Sequence, residues 1–195
     1  PPGDWNNTLN CGPTSLVMAE ACMDGENPDA DEVIDLIEWM DDHISSYGGT
    51  GYDYNGSYTN TTQMVDASED YFGREAERFT GASLEDVYDE LVAGRPVMIA
   101  TYTQSSNNYP SDVMGSGGGH FMLMVGMTPT HVVLHDPGRS ASINAEFREY
   151  TIESFHSYWQ GNAGVFFTEE VELSLEGRLT ECEVEDTTLY LSGEM

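Results

Sequence analysis

Apolar and polar residues alternate with a helical period through much of the first half of the chain. The pattern predicts a helix over about residues 13–23, which Gly25 and Pro28 then interrupt. A second helix is predicted over about 29–43. Its apolar residues fall on one stripe that would face a core, namely Val33, Ile34, Ile37, Met40 and Ile44. Two helices separated by a short breaker segment therefore open the fold.

The helical period continues to the middle of the chain, and then the pattern changes. Residues 45–60 show no periodicity and are expected to form a loop, after which a helix is predicted over about 61–72. Another helix begins at a Ser83 cap and ends before Gly94. Strands are predicted around Val97, Phe121, Val132 and 165–167, with a short helix near 151–159. Helices in the first half and strands in the second indicate an α+β fold with a cleft between the halves.

The end of the chain carries a second set of alternating apolar residues. They lie at Val171, Leu173 and Leu175 and again at Leu189 and Leu191. Alternation of this kind predicts strands. No linker-like segment precedes residue 168. The strands beyond it either add a hairpin to the sheet or begin a further domain.

Cys11 lies at the predicted start of the first helix, in the sequence Asn-Cys-Gly-Pro-Thr-Ser. The N-terminus of a helix presents unpaired N–H groups and the positive end of the helix dipole, and both favour a thiolate. Gly12 would permit a close approach, and Pro13 suits a first helical turn. The pattern indicates a nucleophile, and the alternative is a buried cysteine that opens a core helix.

Two further residues complete a possible set for cysteine-based hydrolysis. His120 begins an apolar strand, and Asp136 follows the next one. A cysteine hydrolase needs a nucleophile, a general base and a group that orients the base. If a three-residue loop centred on Pro129 joins the two strands, Asp136 lies beside Met122, diagonal to His120 and on the same face. A loop with an even number of residues would place Asp136 on the opposite face.

Several short motifs in this order resemble the papain-fold peptidases that process bacteriocin leaders, family thirty-nine of the cysteine peptidases, and above all their relatives without a transporter. The matching segments are Cys11 to Ser15, Ser83 to Val97, Gly118 to Phe121, Asp136 to Gly138, and Phe155 with Trp159. The resemblance covers about residues 9–168. It implies a papain-like cysteine peptidase fold, with a peptidase domain over 1–168 and a C-terminal strand extension of unknown role over 169–195. It also implies Cys11 as nucleophile, His120 as base and Asp136 as orienting residue.

The sequence departs from this family at the residue that would donate to the oxyanion. The family usually carries a Gln a few residues before the Cys, and residues 1–10 contain none. Asn6, Asn7 and Asn10 are candidates instead, because an Asn side chain carries the same amide donor. The backbone N–H of Cys11 is the expected second donor.

The residues and the resemblance together predict a cysteine peptidase that acts through a thioester on Cys11. Its partner would be a peptide or protein substrate, and the resemblance suggests cleavage after small or glycine residues. Two alternatives remain open at the level of sequence. An acyltransferase would form the same thioester, and a non-catalytic peptide-binding module would share the fold.

Composition restricts the partners further. The 195 residues include 35 acidic and six basic ones, with no lysine, and the formal net charge is -29. Nucleic acid and anionic membrane surfaces would be repelled by this charge. An acidic, lysine-free surface resembles proteins of salt-loving organisms, although an acidic protein of ordinary source would also fit. No apolar run is long enough to span a membrane, and no charged-then-apolar leader opens the chain.

Neither a metal ion nor another cofactor is predicted. His131 and His135 share a strand face, but they would lie about 13 Å apart along it, so one ion could not bind both. The three cysteines, Cys11, Cys22 and Cys182, do not form the framework of a disulfide scaffold.

The net charge predicts that salt stabilises the fold. Thermal melts in increasing NaCl should show a midpoint that rises between about 0.1 and 2 M, because salt reduces the Debye length from about 10 Å to about 3 Å or less and screens the repulsion between carboxylates. A midpoint that stays flat or falls would contradict the interpretation of a salt-adapted surface.

Overall fold

The computed structural model describes residues 10–44, 59–103, 118–137, 146–168, 184–185 and 188–190. The helices are α1 (Cys11–Asp24), α2 (Ala30–His43), α3 (Thr61–Ala67), α4 (Leu84–Val92) and α5 (Ile152–His156), and a π-helical turn (Ser68–Phe72) continues α3. The strands are β1 (Ala76–Phe79), β2 (Val97–Thr103), β3 (Gly118–Met127), β4 (His131–His135), β5 (Arg148–Thr151), β6 (Trp159–Phe167), β7 (Val184–Glu185) and β8 (Thr188–Tyr190). The predicted α+β class is confirmed.

The helix boundaries follow the capping signals in the sequence. Asn60 and Ser83 each form a reciprocal capping box with the residue three positions later. Gly25 ends α1 in the left-handed conformation, with φ of 70°. α1 begins at Cys11 rather than at Pro13, so the cysteine belongs to the first helical turn.

Among the described residues every strand pair of the sheet is antiparallel, and the main strand order is β1-β6-β2-β3-β4-β5. The sequence pattern did not predict the edge strands β1 and β5. Each has only four residues, reading Ala-Glu-Arg-Phe and Arg-Glu-Tyr-Thr, so neither shows an apolar run. Charged side chains are common on edge strands, where they hinder pairing of the free edge with another chain.

The central strands form the core between helices. Val97, Met98 and Ile99 are consecutive in β2 and all fully buried, so both faces of the sheet are covered there. α1 and α4 both pack against β2 and β3. The first helix of the chain is therefore held directly against the strand that carries His120.

The C-terminal segment also contributes to this sheet. The pairing of β2 with β3 begins at Val97, which lies opposite Met124. β8 pairs with β3 further along that strand, at Gly126 and Met127. β7 then pairs with β8 as a hairpin. The strand predicted near 171–175 lies outside the described residues, and the domain boundary at 168 stays a prediction. No helix in the described ranges is long and apolar enough to cross a membrane.

The β3–β4 hairpin has the register that was expected near Asp136, but its turn is shorter than expected and its first strand contains a bulge. Thr128 donates its N–H to the His131 carbonyl at 2.8 Å, so the turn contains two residues rather than the predicted three. A register shift between Met124 and Gly126 then leaves one extra residue in β3. The extra residue restores the predicted parity, and Asp136 follows His135, whose partner is Leu123.

A buried ion pair connects α1 to the chain that follows the π-helical turn. The Arg74 Nε donates to Glu20, which is 3 % exposed, and the Arg74 Nη2 lies 2.8 Å from the Asp24 Oδ1. The Ser68 hydroxyl donates to the Arg74 carbonyl at 2.9 Å. Burial raises the pKa of Glu20 to about 7 despite the opposing effect of Arg74. The positive charge of the Arg74 guanidinium therefore offsets the cost of burying the Glu20 carboxylate.

Arg74→Met should destabilise the fold by about 3–5 kcal/mol at pH 8, because it leaves Glu20 buried without its cation. The cost should shrink at pH 5, where the raised pKa of Glu20 leaves this carboxyl protonated and neutral. Denaturant unfolding at the two pH values measures both effects. Arg95→Met is the control, since the more exposed Arg95–Glu90 pair should contribute about 1 kcal/mol or less. Equal losses in the two variants, or no pH dependence, would contradict the assignment.

Candidate active site

The first turn of α1 meets the beginning of β3, and this contact brings Cys11 to His120. Cys11 is partly exposed, and its sulfur is hydrogen-bonded to the His120 side chain. His120 itself is buried, with 5 % of its surface exposed. The helical and strand halves of the chain thus each supply one of the two groups.

Asp136 lies on the other side of the His120 ring. The His120 Nε2 and the Asp136 Oδ1 are 2.7 Å apart, and Asp136 is 1 % exposed. The bond to Asp136 engages Nε2, which leaves Nδ1 as the ring nitrogen that can face the sulfur of Cys11. The structure therefore brings the three residues predicted from the sequence into one hydrogen-bonded series.

The electrostatics of the series favour a charged Cys11–His120 pair. Burial opposes the thiolate, but hydrogen bonding and the positive charge of His120 outweigh it and lower the pKa of Cys11. Burial also opposes the imidazolium, yet the hydrogen bonds to Asp136 and Cys11 raise the pKa of His120 to about 9. Both shifts act in the same sense, because each favours the charged form of its group beside the charged form of the other.

Two backbone N–H groups also hold the sulfur. The N–H of Gly12, in the first turn of α1, and the N–H of Phe121, in β3, both donate to the Cys11 side chain and lower its pKa. The sequence predicted the helix N-terminus as a source of such donors. It carried no signal for Phe121, because the contact depends on how the helix meets the strand.

Two side chains approach the backbone of Gly12 so closely that this position has no room for a side chain. A Cβ at this position would lie 2.2 Å from the Thr59 Oγ1 and 3.0 Å from the Met64 Sδ. Thr59 and Met64 belong to the start of α3 and the residues just before it. The absence of a side chain at Gly12 thus lets α3 pack directly on the turn that carries Cys11.

Of the three predicted oxyanion donors, the structure describes only Asn10. Asn10 is 6 % exposed, directly precedes Cys11, and does not use its side chain to cap α1. Asn6 and Asn7 lie outside the described residues. The assignment of the donor stays a prediction.

The two histidines of β4 are engaged separately from this series. The His131 Nδ1 lies 2.9 Å from the Thr130 Oγ1 in the hairpin turn. His135 packs its ring against Phe147, and burial lowers the pKa of His135 to about 4, so this ring is neutral. Among the described residues, no group of three or more His, Cys, Asp or Glu side chains is placed to bind a metal ion.

Comparisons with known proteins identify the fold and the family of this chain. The chain resembles a crystal structure described as that of a "putative C39-like peptidase from Bacillus anthracis", with a TM-score of 0.57 and 17 % sequence identity over 84 % of this chain and 90 % of the other. This likeness confirms the papain-like fold that the motifs implied. Among curated proteins, none matches this chain.

The sequence model of the Peptidase_C39 like family matches residues 1–165. The match includes Cys11, His120 and Asp136, and it ends close to the predicted domain boundary at 168. Since it covers most of the chain, the protein belongs to the Peptidase_C39 like family.

Proposed function

We propose that this protein is a cysteine peptidase in which Cys11 is the nucleophile, His120 the general acid and base, and Asp136 the residue that orients His120. The observation that carries the proposal is the hydrogen-bonded series from the Cys11 sulfur through the His120 ring to the Asp136 carboxylate at 2.7 Å. The family to which the chain belongs supports the same reaction class. The position of Cys11 at the start of α1 adds the field of the helix dipole.

The reaction begins from the charged pair. The Cys11 thiolate attacks the carbonyl carbon of a peptide bond, a C–S bond forms, and the carbonyl oxygen becomes an oxyanion. The His120 imidazolium then gives its proton to the leaving amine as the C–N bond breaks, which leaves a thioester. His120, now neutral, takes a proton from water, whose oxygen attacks the thioester and releases the carboxylic acid and the thiolate.

Asp136 acts through His120 rather than on the substrate. Its buried carboxylate accepts a hydrogen bond from Nε2, which fixes the ring with Nδ1 toward Cys11 and stabilises the imidazolium. The oxyanion would be held by the backbone N–H of Cys11 and by a side-chain amide, for which Asn10 stands next to the nucleophile and Asn6 and Asn7 lie further along the chain toward the N-terminus.

The substrate we propose is a peptide or protein cut after small or glycine residues. The net charge of -29 disfavours nucleic acid as a partner. Because an amine could replace water on the same thioester, product analysis by mass spectrometry should offer a peptide library both water and added amines. Hydrolysed products support the peptidase, amide products support the acyltransferase, and binding without any product supports the non-catalytic module.

Iodoacetamide at pH 6 should alkylate Cys11 much faster than Cys22 or Cys182. The reason is that its pKa is lowered by His120 and by the N–H donors, whereas an ordinary thiol is almost fully protonated at this pH. Mass spectrometry of the digested protein assigns the rate to each cysteine. His120→Ala is the matched variant and should slow Cys11 toward the rate of the other two. Equal rates for the three cysteines in the unmodified protein would contradict the proposed nucleophile.

The pH profile of kcat/KM should show a plateau that begins above the lowered pKa of Cys11 and ends near the His120 pKa of about 9. Asp136→Asn keeps an oxygen acceptor but removes the charge, so the pKa of His120 should fall and the alkaline limb should move to lower pH. Asp136→Ala removes the acceptor as well and should reduce kcat/KM by about 10²–10⁴-fold, the range associated with general acid–base catalysis. If neither variant changes the profile, Asp136 does not orient the base.

Asn10→Ala should reduce kcat by about 10²–10³-fold if the Asn10 amide donates to the oxyanion, because such a donor acts mainly in the transition state. The Cys11 alkylation rate serves as the control, since an oxyanion donor should leave it unchanged. If kcat is unchanged in Asn10→Ala, the candidates for the oxyanion donor are Asn6 and Asn7, and each is tested by the same substitution to Ala. Full activity in all three variants would exclude an Asn donor.

A further inference from the structure

Thr101 makes a buried hydrogen bond to the backbone of the proposed general base. It lies on β2 directly opposite His120 on β3, and 2 % of its surface is exposed. The Thr101 Oγ1 donates to the His120 carbonyl at 2.9 Å. The reaction described above uses the imidazole of His120 and assigns nothing to this hydroxyl.

The other end of the same peptide group faces the nucleophile. The His120 carbonyl and the Phe121 N–H belong to one trans peptide, so they point in opposite directions. Thr101 approaches the oxygen from the β2 side, and the N–H therefore points toward the β4 side. The last pair between β3 and β4 is Leu123 with His135, and beyond it the Phe121 N–H donates to the Cys11 sulfur instead of to a strand.

Hydrogen bonds in series through one peptide group strengthen each other, by about 10–30 % for each bond. A donor on the carbonyl oxygen draws electron density away from the amide and makes its N–H a better donor. We propose that the Thr101 hydroxyl polarises the His120–Phe121 peptide and thereby strengthens the hydrogen bond from the Phe121 N–H to the Cys11 thiolate. Thr101 is then a positioning residue for the nucleophile, an inference that rests on the proposed role of Cys11.

A simpler role for the hydroxyl makes a different prediction. If Thr101 only satisfies a buried carbonyl, its loss should lower the stability of the fold and leave the titration of Cys11 unchanged. The decisive measurement is therefore the pH dependence of Cys11 alkylation, followed peptide by peptide. This readout needs no substrate and does not depend on turnover.

The chain offers a matched set of variants. Thr101→Val and Thr101→Ala both remove the hydroxyl but differ in volume, whereas Thr101→Ser keeps it. Ser15→Ala is the control for the loss of a buried hydroxyl in general. Ser15 lies one turn after Cys11, is fully buried, and within the described part of the chain its Oγ has no hydrogen-bond partner. Thermal melts of each variant report the stability separately.

The Val and Ala variants should shift the apparent pKa of Cys11 upward by several tenths of a unit. At a pH below the apparent pKa that Cys11 shows in the unmodified protein, their alkylation should accordingly be about two- to fourfold slower, because the lost strengthening is about 10–30 % of a charge-assisted hydrogen bond. Thr101→Ser and Ser15→Ala should follow the unmodified protein. If Thr101→Val does not fold, the comparison of Ala with Ser carries the test.

Three outcomes would overturn the inference. Superimposable profiles for all variants would limit Thr101 to a structural role while leaving the low pKa of Cys11, and the proposed function, intact. An equal shift in Ser15→Ala would assign the effect to any buried hydroxyl. A Cys11 that titrates as an ordinary thiol, near 8.5, in the unmodified protein would contradict the proposed function itself, and that result is visible without any variant.

Discussion

The contact between the first turn of α1 and the His120 end of β3 is the interaction on which the site depends. It joins the helical half of the chain to the sheet, and it is possible because β4 stops pairing with β3 at Leu123. A backbone N–H on a strand edge that no neighbouring strand pairs with needs another hydrogen-bond acceptor, such as water. Here that N–H, on Phe121, donates to the sulfur of Cys11, so the end of one strand pair creates part of the environment of this sulfur.

The same contact explains why the residue after the cysteine has no side chain. α1 must approach β3 on one side and the residues at the start of α3 on another, and Gly12 lies where Thr59 comes closest. A methyl group there would meet the Thr59 hydroxyl at 2.2 Å and would push either α3 or the helix start away. Because a packed core resists such displacement, the position of the sulfur relative to His120 is fixed by packing as well as by hydrogen bonds.

The sequence predicted the parts of the fold that leave a periodic or capping signal. Ser83 and Gly25 mark helix ends as expected, and the long apolar strands around Val97 and Phe121 form the centre of the sheet. The edge strands β1 and β5 escaped prediction because they are short and mostly polar. The π-helical turn after Ala67 also left no signal, since the period up to that point is that of an ordinary α-helix.

The residues of the candidate site also differ in whether the sequence could predict them. Cys11, His120 and Asp136 could be proposed from residue types and order, because each role requires a particular functional group. The contributions of Thr101 and of the Phe121 N–H could not, because they depend on strand register and on the direction in which one peptide group points. The backbone carries no residue-type signal, so its chemistry becomes visible only with the fold.

The hairpin that carries Asp136 has a property that bears on how such chains can diverge. Its turn holds two residues and its first strand one extra residue, and together they give the same parity as a three-residue loop. A chain that lost the extra residue near Val125 and gained one in the turn would leave Asp136 on the face of His120. Either change alone would turn the carboxylate to the opposite face of the sheet. The face of the sheet on which Asp136 lies thus depends on the parity of the whole hairpin, so a change of one residue in the turn needs a second one in the strand, whereas a change of two residues needs none.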